Sequence, residues 1–188
     1  MSRLFVSIFA YILLGNVPVY GYTAEQQVDR AAEKVGVPKK LLRAICAAES
    51  GLKPWAYRYG DGGSQRNSAF GICQVLHSTA KAYGFRDENC YKDFRNSYFR
   101  ERNYKACKLF GPYTNSLIAA RYLKYQLKRY DGSWISAIAA YNSGSLRICK
   151  NGKVRDRMTR KILYRCKKGG LLNQKYIDRV LRILEGSQ

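Results

Sequence analysis

The chain of 188 residues is short of acid and almost without histidine: 13 Asp and Glu stand against 34 Lys and Arg, and His77 is the one imidazole. With a single His and no Cys-x-x-Cys, a zinc site of the usual Cys/His spacing is not expected, and no metal or cofactor is called for. No apolar run reaches the roughly 20 residues of a membrane-spanning helix. Strand signals are poor, and there is no internal repeat or low-complexity tract. The shortage of acid leaves a net charge of +21. A chain this basic should meet a polyanion: nucleic acid, an anionic membrane or a wall polymer. Its apolar share of 46% is ordinary, which excludes disorder over most of its length and supplies a core for one domain.

The N-terminus reads as a secretory leader. Arg3 precedes an apolar run from Leu4 to Leu14, followed by Gly15 and Pro18. The run is too short to span a bilayer, and small residues follow it. The expected cut lies after Gly21, leaving residues 22–188 as one domain, secreted or periplasmic and monomeric. The leader removes one Arg and no acid, so the mature charge is +20. Six cysteines remain: Cys46, Cys73, Cys90, Cys107, Cys149 and Cys166. In an exported chain they are expected to form disulfides. Six allow fifteen pairings, of which Cys46–Cys73, Cys90–Cys107 and Cys149–Cys166 are preferred.

Helix signals recur along the mature chain. Thr23 and Gln26 form a capping box for a helix from about Ala24 to Val35, stopped by Gly36. Pro38 opens a second helix to about Ser50, with Gly51 as its stop. Residues 52–69 read as a loop. A third helix is expected from about Gly71 to Ala82, with His77 on its outer face. Thr114 can cap a helix carrying Leu117, Ile118, Tyr122 and Leu127, broken at Asp131-Gly132. Ser133 caps another to about Asn142. Residues 145–170 read as a basic loop bracketed by cysteines, and a last helix spans about Leu172 to Leu184. The expected class is all-α.

One carboxylate stands out. Leu42, Ile45, Cys46 and Glu49 fall at i, i+3, i+4 and i+7, one face of the second helix. Glu49 therefore sits where the pattern assigns core, in the last turn, at the negative end of the helix dipole. Desolvation and the dipole both favour the protonated acid. A carboxyl kept protonated near neutral pH is what a general acid for glycoside cleavage needs. A Glu that escapes into the following loop or pairs with an Arg fits the same periodicity.

The surrounding motifs occur in a telling order. AICAAESG (Ala44 to Gly51) precedes SAFGICQV (Ser68 to Val75), AIAAYNSG (Ala137 to Gly144) and YIDRV (Tyr176 to Val180). This set resembles the soluble lytic transglycosylase (SLT) family and the related goose-type lysozymes, over roughly residues 25–186. It departs from the family at Cys73, where Met is frequent. The resemblance implies a lysozyme-like all-α domain. It implies cleavage of the β-1,4 bond between N-acetylmuramic acid (MurNAc) and N-acetylglucosamine (GlcNAc) in peptidoglycan, with Glu49 as catalytic acid and base. Ser68, Gln74, Tyr141 and Asn142 would bind the sugars, Gly71 would allow close backbone approach, and Tyr176 would face Glu49. A goose-type hydrolase is the alternative, with Asp61 of Tyr-Gly-Asp-Gly assisting water; Asp-Gly is equally a turn. A basic wall-binding protein without activity, or a nucleic-acid binder suggested by fourteen mature tyrosines, remains as a distant reading. Export, disulfides and the lack of a nucleic-acid motif argue against nucleic acid as the partner.

Overall fold

The computed structural model describes residues 21–60, 67–91, 107–155, 162–165 and 167–186, with the backbone alone at 91, 154, 155 and 162–165. The expected leader, Asp61 and Cys166 lie outside the described residues. Six α-helices appear among those described: α1 (Ala24–Val35), α2 (Lys39–Ser50), α3 (His77–Ala82), α4 (Pro112–Arg129), α5 (Trp134–Ser143) and α6 (Gln174–Glu185). No helix among them is long and apolar enough to cross a membrane. α1 packs along α4, α2 along α6, and α4 against α5.

Local chemistry explains most of these elements. Thr23 Oγ1 accepts from Gln26 N while Gln26 Oε1 accepts from Thr23 N, so the capping box of α1 is complete. Gly36, Gly51 and Gly144 adopt left-handed φ after α1, α2 and α5, where a Cβ would be strained. Ser133 caps α5 by accepting from Ser136 N. α4 starts two residues before the expected Thr114, because Pro112 at its first turn needs no N–H partner.

The core joins one face of each long helix: Val28 and Ala32 of α1, Leu41, Leu42 and Ile45 of α2, Ile118 and Leu123 of α4, Ile138 of α5, Ile177 and Val180 of α6. Cys46 and Cys73 are bonded in this core, and Cys90 is bonded to Cys107. Cys149 is disulfide-bonded as well.

The departures from an all-helical reading are short. β1 (Tyr57–Arg58), β2 (Ala69–Phe70) and β3 (Val75–Leu76) form an antiparallel sheet, pairing Tyr57 with Phe70 and Phe70 with Val75. The third helix starts at His77 instead of Gly71, since Gly71 and Gln74 take positive φ (69° and 48°) and turn the chain into β3. That shift turns His77 inward. Its ring is 1% exposed and lies 6.3 Å from that of Phe70, so the expected outer-face position is corrected. Within the basic segment 145–170, where a loop is expected, β4 (Lys153–Arg155) and β5 (Ile162–Arg165) pair antiparallel.

Candidate active site

Glu49 ends α2, and the fold surrounds it with tyrosines and arginines. Burial pushes its carboxyl above the usual carboxylate range; Tyr176 and the charges of Arg179 and Arg58 oppose this more weakly. The Tyr176 hydroxyl faces the carboxyl, near enough for each group to shift the other's proton affinity. It is buried and has no partner in regular hydrogen-bond geometry. Tyr141 also lies near enough to feel the Glu49 charge. Burial first, and the Glu49 charge second, push both phenols well above their ordinary range. Neither tyrosine ionises near neutral pH, so each remains a hydrogen-bond donor beside Glu49.

The 71–74 turn is anchored to α2 and α4 from several directions. Ser50 Oγ donates to the Ile72 carbonyl at 2.6 Å, and the Cys46–Cys73 disulfide joins the same two segments. Buried Asn115 of α4 accepts from Cys73 N at 2.9 Å and donates to the carbonyls of Phe70 and Leu109, each at 2.8 Å. Gly71 is required by that Asn115 anchor. A Cβ there would stand 2.7 Å from Asn115 Nδ2 and 2.7 Å from the Leu109 carbonyl. The close approach at Gly71 is therefore made by the protein's own α4 side.

Gln74 and Tyr141 define the near wall. Gln74 Nε2 donates to the carbonyls of Ala56 and Gly71, at 3.1 and 3.0 Å. The Tyr141 hydroxyl donates to the Cys73 carbonyl at 3.0 Å. Gln74, Tyr141 and Asn142 border one cavity of about 260 Å³. A second, of about 800 Å³, shares Asn142 and is bordered by Tyr176 and Arg179. Asn142 is exposed between them, its Oδ1 accepting from Asn173 Nδ2 at 3.2 Å. The two cavities thus share Asn142 at the end of α5, and each is bordered by a tyrosine that feels the Glu49 charge.

Of the residues expected in the site, the fold gathers Glu49, Gln74, Tyr141, Asn142 and Tyr176. Ser68 is set apart: it is fully buried, and its Oγ accepts from Gly60 N at 3.1 Å and from the Tyr57 hydroxyl at 3.3 Å. Its hydroxyl braces the loop entering β2. Asp61 lies outside the described residues. The sequence reading missed Arg179, Arg58, Ser50 and Asn115. Arg179 follows Tyr176 by one helical turn, and Ser50 adjoins Glu49, so both carried a local signal. Arg58 and Asn115 come from distant segments and carried none. Asp87, Cys90 and Cys107 form a metal-sized cluster among the described residues, but the disulfide occupies both sulfurs.

The transglycosylase SLT domain model matches residues 26–163. The chain belongs to this family. Its members are peptidoglycan-cleaving lytic transglycosylases, enzymes that break glycosidic bonds in the wall. Curated relatives include Protein IpgF of Shigella sonnei and of Shigella flexneri. Each is 29% identical over 141 residues, covering 74% of this chain and 78% of the relative. The family match spans α2, the 71–74 turn and α5 but ends before α6. Tyr176 and Arg179 therefore stand on their contacts with Glu49.

Proposed function

We propose that the protein cleaves the MurNAc–GlcNAc bond without water, as a lytic transglycosylase with Glu49 as its acid and base. The supporting observation is the environment of Glu49: a carboxyl raised above its usual range by burial, with two neutral tyrosines beside it. Protonated Glu49 gives its proton to the bridging oxygen as the C1–O4 bond breaks, releasing GlcNAc with a free 4-hydroxyl. The carbonyl of the substrate's own N-acetyl group stabilises the cationic C1, so no second carboxylate is needed. Glu49, now a carboxylate, takes the proton of the C6 hydroxyl while that oxygen closes on C1. The product is a 1,6-anhydro sugar, and Glu49 ends protonated again. Arg179 and Arg58 favour the carboxylate of the second half, while burial favours the acid of the first.

Gln74, Tyr141 and Asn142 orient the sugars. The protein acts as an exported monomer after loss of residues 1–21. Arg3 and the Leu4–Leu14 run support export, and N-terminal sequencing of the secreted protein should begin at Tyr22.

Defined peptidoglycan digested by the protein and read by mass spectrometry should give anhydro ends. Reducing ends would instead establish hydrolysis and bring Asp61 forward as the group that assists water. Glu49→Gln should lower lysis by at least about a thousandfold while peptidoglycan binding persists; undiminished lysis would refute the assignment.

A further inference from the structure

The corner between α4 and α5 holds two large apolar side chains out of the core. Among the described residues, Trp134 and Ile135 are the one pair of chain neighbours that are both large, apolar and well exposed, at 41% and 49%. Residues 131–135 are exposed without interruption, so the corner projects. Its backbone is nonetheless fixed. Gly132 N donates to the Leu127 carbonyl and Ser133 N to the Tyr130 carbonyl, each at 2.9 Å. Asp131 and Gly132 take positive φ (50° and 79°), which turns the chain sharply out of α4. Ser133 then caps α5, whose first turn carries Trp134 and Ile135. Lysines flank this corner. Lys124 Nζ donates to the Val35 carbonyl at 2.7 Å, which brings the end of α1, with exposed Lys34, against α4. Exposed Lys128 follows Lys124 by one turn on the same face and stands just before the corner. Glu33, the acid beside Lys34, is already paired with Lys39. Asp131 is the acid of the corner itself.

We propose that this corner seats the protein on an anionic lipid surface, with Trp134 and Ile135 entering the headgroup layer and Lys34, Lys124 and Lys128 meeting lipid phosphates. Tryptophan favours the membrane–water interface, where its ring is apolar and its N–H finds a partner. Lysines lay their apolar stems along such a layer and keep their charges among the headgroups. A wall polymer would satisfy the lysines, but it offers Trp134 and Ile135 no apolar phase. An acidic protein would need a shaped pocket for a projecting corner, whereas a fluid lipid layer closes around one. Seating here leaves the cleft free. Trp134 and Asn142 stand at opposite ends of α5, a helix of ten residues and so about 15 Å long. The inference is independent of the reading of Glu49 and holds whichever group cleaves the glycan.

The test uses vesicles of phosphatidylglycerol with phosphatidylethanolamine, and vesicles of phosphatidylcholine alone. The chain has two tryptophans, so Trp55→Phe leaves Trp134 as the single reporter. Its emission should shift to the blue with the anionic vesicles and stay in place with phosphatidylcholine. In co-sedimentation with the anionic vesicles, Trp134→Ser/Ile135→Ser should bind at least about tenfold more weakly than the wild type. Lys34→Gln/Lys128→Gln should bind severalfold more weakly and lose part of the salt dependence.

The emission measurement needs no substitution in the corner, so it decides even where the double variants fold poorly. An emission that does not move with the anionic vesicles would overturn the proposal. Vesicle binding undiminished in Trp134→Ser/Ile135→Ser would also overturn it, and would assign the attraction to other cations of the chain. Polyglutamate gives the remaining outcome: a Trp134 emission that shifts with polyglutamate and not with vesicles would overturn the lipid assignment in favour of an acidic protein.

Discussion

Glu49 loses hydration at the end of α2 and recovers part of the balance from Arg179 and Arg58, so its proton affinity is set by residues from three segments of the chain. Arg179→Gln removes an influence that lowers the Glu49 pKa. The acid form then persists to higher pH, and the alkaline limb of the pH–rate profile should move upward; a limb that stays in place would show that Arg179 does not act on Glu49. Gly71 is a second residue whose role is steric. Ala there meets both a φ of +69° and contacts of 2.7 Å with Asn115 and Leu109. Gly71→Ala should cost about 2–4 kcal/mol of stability, read as a lowered urea midpoint. Residue-scale legibility was uneven. Glu49 was visible because a carboxylate interrupts an apolar helical stripe. The inward turn of the Ser68 hydroxyl was not visible, because a motif shows which residue is present and not which way its side chain points.

At the scale of elements, α2 and the 71–74 turn behave as one unit, joined by Ser50 and by the Cys46–Cys73 disulfide. The disulfide spans a sequence separation of 27. Loop-closure entropy then assigns it about 3.5 kcal/mol. Cys46→Ala/Cys73→Ala should lose about that much in urea unfolding. It should also lose activity, because the Cys73 carbonyl holds the Tyr141 hydroxyl. A variant with wild-type stability and rate would show the bond to be incidental. α1, α2 and α5 were legible from caps, apolar spacing and glycine stops, which are local signals. The boundary of α3 was not, because the reversal at Gly71 and Gln74 depends on Asn115, whose side chain arrives from α4. The β4–β5 pair was not legible because its strands are only three and four residues long, too short for an alternation to show, and lie within a stretch rich in Lys and Arg.

The whole molecule carries its charge unevenly. Residues 145–168 hold ten Lys and Arg against one Asp, and Lys175, Arg179 and Arg182 of α6 are exposed beside Lys167. Such an excess of cations should hold the enzyme on an anionic wall. Raising ionic strength from about 0.02 M to about 0.5 M shortens the screening length several-fold. Wall binding should then weaken by about tenfold or more, while cleavage of a short uncharged glycan changes little. Equal loss of both would place the charge effect inside the chemistry.

The sequence by itself determined the helical class, the caps and stops of the helices, the excess of cations and the position of Glu49 on an apolar face. These follow from contacts within one or two turns of chain, where spacing and residue type decide geometry. Only the tertiary structure decided that Tyr141 and Tyr176 converge on that carboxyl. It also turned Ser68 and His77 inward and set four cations around one cavity. Those outcomes depend on how α2, α5 and α6 pack, and on a turn held by a side chain from α4. Packing of that kind couples residues far apart in the chain, and no local pattern records it.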